Sequence, residues 1–139
     1  ADTSGAMRMV VKEGDAAPGI AGAVFDRFDL PIVGGQEQMV FIARVTGPGV
    51  TAANDIGVWR QAPNGGPLTL VVRTGEQLTT SLLVDPVKTI SNLRFPGSLN
   101  PGATTGAERR WEQPVIDQNG QLIIYVDFVG GLTGELLAP

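Results

Sequence analysis

Apolar residues along this chain come in short alternating runs, each cut off by glycine, proline, asparagine or aspartate. Residues 7–12 place Met7, Met9 and Val11 on one face and Arg8, Val10 and Lys12 on the other, which predicts a strand. Glu13-Gly14-Asp15 and Pro18-Gly19 then turn the chain. Further strands are predicted at 24–30, 39–46, 56–60, 68–73, 82–84, 87–95, 111–116 and 121–129, with Gly34-Gly35, Pro48-Gly49, Asn64-Gly65-Gly66-Pro67 and Asp117-Gln118-Asn119-Gly120 as the breaks. In 39–46 the residues Met39, Phe41, Ala43 and Val45 share a face. Residues 132–139 are too short to classify. Helical spacing is nearly absent; a single turn around 108–112 is the best candidate. The pattern predicts an all-β fold of about nine or ten short antiparallel strands and at most one short helix.

Two of these segments echo one another. Met9-Val10-Val11-Lys12-Glu13-Gly14-Asp15 is answered by Leu70-Val71-Val72-Arg73-Thr74-Gly75-Glu76, 61 positions on from Val11 to Val72. Gln38-Met39-Val40-Phe41-Ile42-Ala43-Arg44-Val45 is answered by Gln121-Leu122-Ile123-Ile124-Tyr125-Val126-Asp127-Phe128, 83 positions on from Gln38 to Gln121. Such echoes predict one supersecondary unit stacked on a divergent copy of itself. The expected organisation is an extended arm over 1–8 and a single domain over 9–139, built of repeats at about 9–69 and 70–130 in a propeller-blade-like or sandwich-like arrangement. The longer second spacing requires an insertion between Gly75 and Gln121. The Gly-, Pro- and Thr-rich stretch 96–108 is its natural home, and long loops of this kind tend to be binding or assembly surfaces.

Composition narrows the chemistry. The 139 residues carry a net charge of −4, with 42% hydrophobic and 17% charged side chains, which fits a folded domain rather than a disordered tail. The acidic balance argues against a nucleic-acid partner, and no apolar run is long enough to insert in a membrane as a helix. There is neither cysteine nor histidine. Disulfides, thiolate nucleophiles, the usual zinc sites and histidine acid–base relays are therefore excluded. The chain opens at Ala1 without an apolar leader, as expected of a mature exported product and equally of a trimmed one.

At Val10-Val11-Lys12-Glu13-Gly14-Asp15-Ala16-Ala17-Pro18-Gly19 the sequence resembles a tandem repeat of bacterial exported proteins, the choice-of-anchor surface proteins. The likeness continues through Ala23-Val24-Phe25-Asp26-Arg27-Phe28 and Gly47-Pro48-Gly49-Val50-Thr51-Ala52-Ala53-Asn54-Asp55-Ile56-Gly57-Val58-Trp59. It covers residues 9–76 and, more loosely, 111–129. That family's Asn-x-x-Gly-x-x-Ala-Phe signature is matched only in fragments, at Gly35 with Val40-Phe41 and at Asn119-Gly120-Gln121 with Ile123-Ile124. The resemblance implies export, display at the cell surface, a stacked or propeller-like β architecture and no known activity. A closed propeller takes at least ~4 blades, and two repeats fall short of it.

Candidate sites are few. Glu13-Gly14-Asp15 and Gly75-Glu76 put acids at bends, and Asp117-Gln118-Asn119-Gly120 begins like a calcium loop. Each reads first as a glycine turn, Asn-Gly being a strong hairpin signal; no cofactor is expected, with calcium as the one candidate. Arg109 and Arg110 beside Trp111 form the only basic cluster and, with the loop before them, the best place for a carbohydrate or other ligand to stack. Paired carboxylates such as Glu108 with Glu112, or Asp26 with Asp29, read as surface groups, so no enzyme activity is expected. The leading expectation is a non-catalytic extracellular module that pairs with copies of itself. Met7, Met9 and Val11 in the arm and Leu122, Ile124 and Val126 in the last apolar strand are the expected assembly residues. The alternative is a carbohydrate-binding β domain, completed as a ring by oligomerisation.

Overall fold

The computed structural model describes residues 8–29, 31–33, 38–79, 87–95 and 121–138. They form nine strands: β1 (Val24–Phe28), β2 (Ile32–Val33), β3 (Met39–Thr46), β4 (Ile56–Gln61), β5 (Leu68–Arg73), β6 (Gln77–Thr79), β7 (Val87–Arg94), β8 (Leu122–Phe128) and β9 (Thr133–Ala138). The class is all-β, and every pairing is antiparallel. One sheet runs β1-β3-β4-β5, with β2 also on β3, and the other runs β6-β7-β8-β9. The only helical turn among the described residues is a 3₁₀ turn at Pro63–Gly65, where Asn64 and Gly65 take φ of +57° and +77° to reverse the chain between β4 and β5. The predicted strands at 82–84 and 111–116 and the turn at 117–120 lie outside the described residues.

A core lies between the two sheets. Val40, Ile42, Val58 and Val72 from the first sheet meet Ile90, Leu93, Leu122, Ile124, Val126 and Phe128 from the second. On the far face of the first sheet Phe25, Phe41, Ala43, Val45 and Trp59 form a second, aromatic cluster with Ala17 and Ala23. This explains why β3 reads as a nearly continuous apolar run: both of its faces are buried. In β8, by contrast, Leu122, Ile124, Val126 and Phe128 are buried while Ile123, Tyr125 and Asp127 are half-buried.

The two sheets share a register. Phe25 pairs with Val45, a bulge follows, and Arg27 pairs with Arg44; Ile90 pairs with Phe128, a bulge follows, and Asn92 pairs with Asp127. Gly57 lies opposite Ala43 in β4 as Gly134 lies opposite Val126 in β9. The entry turns match as well. The Gly14 amide donates to the Phe25 carbonyl at 2.8 Å and the Phe25 amide to the Asp15 carbonyl at 2.9 Å. The Gly75 amide donates to the Ile90 carbonyl at 2.8 Å and the Ile90 amide to the Glu76 carbonyl at 2.9 Å. Gly14 and Gly75 have φ of +87° and +85°, a backbone that glycine adopts without strain. Thus β1, β3 and β4 correspond to β7, β8 and β9.

The arm is a correction to the sequence reading. Residues 8–12, predicted as strand, join no ladder, because no strand among the described residues lies beside them. Residues 133–138, unclassified from sequence, form the edge strand β9.

Candidate functional site

The arm enters the fold through a closed turn. The Asp15 carboxylate accepts the Lys12 amide at 3.0 Å and its ammonium at 2.9 Å. The hydrogen bond from the Lys12 side chain, then that from its amide, holds the Asp15 carboxyl below the usual range. Upstream of this turn Val11 packs on the aromatic cluster, while Met9 is 76% exposed. The corresponding turn in the middle of the chain has Glu76 in place of Asp15; burial pushes its carboxyl up, partly offset by the Arg73 amide and charge.

Before the second turn the same kind of segment is fully paired. β5 runs along β4 with Gly57 opposite Arg73, Val58 opposite Val72 and Trp59 opposite Leu70. β9, the counterpart of β4, pairs only with β8, and its outer edge carries no strand among the described residues. Leu137 on β9 is 58% exposed, and Val129 and Leu132 in the preceding turn are exposed too. Among the described residues the 8–12 arm joins no ladder and the outer edge of β9 carries no strand, and each is the counterpart of a segment that is paired in the middle.

The expected assembly residues separate on this geometry. Met9 is exposed and Val11 half-buried in the arm. Leu122, Ile124 and Val126 require correction: they are at most 1% exposed, inside the core between the sheets, on a strand paired on both sides by β7 and β9. Their strict alternation marks a core face rather than a docking face. Met7, Arg109, Arg110 and Trp111 lie outside the described residues. The edge that sequence reading missed is β9; its one signal is Gly134, placed like Gly57.

Other candidates reduce to packing. Trp59 is fully buried and its indole N–H donates to the Pro18 carbonyl at 2.9 Å. Tyr125 is half-buried with the Arg94 guanidinium 5.8 Å from its ring centre. A cleft of about 190 Å³ is lined by Arg27, Asp29, Arg44, Ile56 and Asn92 among others. Beside it Arg44 binds Asp55 at 2.8 Å, and the other Asp55 oxygen is buried without a partner among the described residues. No group of three or more acidic side chains able to hold a metal gathers among the described residues.

Compared with known families, residues 1–84 match a family of unknown function, DUF7453. The chain belongs to the DUF7453 family. The DUF7453 match takes in the arm, the whole first sheet and β6, and ends before β7. No curated protein and no solved structure matches the chain.

Proposed function

We propose that this protein is a non-catalytic structural module, exported and displayed at the cell surface, that associates with copies of itself through its strand edges. The observation that supports self-association is that, among the described residues, the outer edge of β9 carries no strand and the 8–12 arm joins no ladder. A sheet edge that shows unpaired N–H and C=O groups together with apolar side chains is a template for another strand. Natural edge strands are usually blunted by lysine, proline or a bulge. β9, Thr133-Gly134-Glu135-Leu136-Leu137-Ala138, carries one exposed charge, Glu135, has no lysine or proline, and pairs with β8 without a break in register. Export and surface display rest on the likeness of residues 9–76 to exported repeat proteins.

Sedimentation velocity across a wide range of concentration tests self-association. The mean mass should rise with concentration and fall again on dilution. A chain that sediments as a monomer throughout contradicts it.

A further inference from the structure

We propose that residues 8–12 of one copy add to the outer edge of β9 in a second copy, in the register that β5 takes on β4. This rests on the self-association reading and deepens it by naming both partners and their alignment.

The alignment comes from two correspondences already fixed by hydrogen bonds. The turn at Gly14 repeats at Gly75, so Lys12, Val11 and Met9 correspond to Arg73, Val72 and Leu70. Gly57 opposite Ala43 repeats as Gly134 opposite Val126, so Gly134, Glu135 and Leu136 correspond to Gly57, Val58 and Trp59. In the middle of the chain these two sets are paired: Gly57 with Arg73, Val58 with Val72, Trp59 with Leu70, across one bulge. At the ends the same sets exist, but one lies at each terminus of the sequence. Transferring the register puts Lys12 opposite Gly134, Val11 opposite Glu135, Met9 opposite Leu136 and Arg8 opposite Leu137.

Val11 and Met9 already stand as this pairing needs, while the Arg8 guanidinium lies against Gly65 of its own chain. Val72 packs into the core between the sheets, and Val11 packs into the aromatic cluster on its own first sheet, the same direction relative to the following unit. Leu70 turns the other way and, outside the Trp59 ring at 2.7 Å, closes over Gly57, where a Cβ would lie 3.1 Å from its Cδ1. Met9, its counterpart, turns into solvent. At Gly134 on β9 the Phe128 ring covers the matching place, with its Cε2 3.2 Å from where a Cβ would lie. The transferred register sets Met9 of a second copy beside the half-buried Leu136. The contact is head-to-tail, so the assembly either closes as a ring or continues as a filament.

Single cysteines test the register, because the chain has none of its own. Full-length V11C and E135C are mixed and oxidised mildly, with M9C and L136C as a second pair; V33C with E135C, both at exposed positions, is the out-of-register control. The proposal expects a reducible mixed dimer from an in-register pair, several-fold above the control, and a ladder of larger species from the V11C/E135C double variant. Oligomers in sedimentation without in-register linkage above the control would overturn this register while leaving self-association standing. A double variant that links within one chain when dilute would show the arm folding back on its own β9, and overturns the second copy as partner. A monomer at every concentration overturns both readings.

Discussion

Trp59 ties the entry segment to the first sheet. Its ring meets Phe25 edge-on at 4.9 Å and lies nearly parallel to Phe41 at 6.2 Å, and its N–H reaches the Pro18 carbonyl. Trp59→Ala should cost about 3–5 kcal/mol and Trp59→Phe about 1–3 kcal/mol, the latter through the unpaired Pro18 carbonyl, both read by denaturant unfolding. Gly57 is the companion constraint, since a Cβ there falls 2.7 Å from the Trp59 ring. Gly57→Ala should lose about 1–3 kcal/mol by the same measurement. The acids of the two turns act in opposite senses with pH. The raised Glu76 carboxyl makes the fold bind a proton more tightly than the unfolded chain, so its contribution is present at low pH and is lost as pH rises through the raised value. Glu76→Gln should therefore raise the melting temperature at pH 7, with the gain disappearing below the ordinary glutamate range. The lowered Asp15 carboxyl contributes above its ordinary value and loses that contribution as pH falls through the lowered one, so Asp15→Asn should lower the melting temperature at pH 7 and have no effect in strong acid. At this scale the sequence was informative about glycine turns, because Gly14 and Gly75 occupy a left-handed backbone that few other residues tolerate.

Among the elements, β1, β3, β4, β5, β7 and β8 were legible to within a residue or two from alternation and glycine breaks. β2 and β6 were not. Each pairs over only two or three residues, and tertiary contact rather than pattern makes them strands. The arm failed in the opposite sense: its alternation is that of a strand, but a strand exists only beside a partner. The apolar run 122–128 misled in another way, because hydrophobicity alone does not separate a core face from an assembly face. Its burial shifts attention to β9, whose exposed Leu137 would face Arg8 of a second copy. Leu137→Lys sets two cations opposite one another and should weaken self-association a few-fold, whereas Leu137→Glu should keep or strengthen it, as read from sedimentation isotherms. Both positions are exposed, so neither change should lower monomer stability by more than about 0.5 kcal/mol.

At the scale of the molecule, a three-strand unit occurs twice, entered each time by a glycine turn, and among the described residues only the junction between the two copies carries a strand on that edge. There, β5 closes the first sheet and leads through Gly75 into β6 of the second, so one continuous segment serves both sheets. The sequence spacings of 61 and 83 already contained this duplication, but not its consequence, because an unpaired edge is a property of the whole arrangement and no single segment displays it. Hydrogen exchange at two protein concentrations is the most direct measurement of it. Amides in 8–12 and 133–138 should exchange quickly when dilute and become protected together when concentrated, while those of β3, paired on both sides, stay slow throughout. Equal exchange of the arm and of β9 at both concentrations, fast or slow, would contradict the association of these two edges.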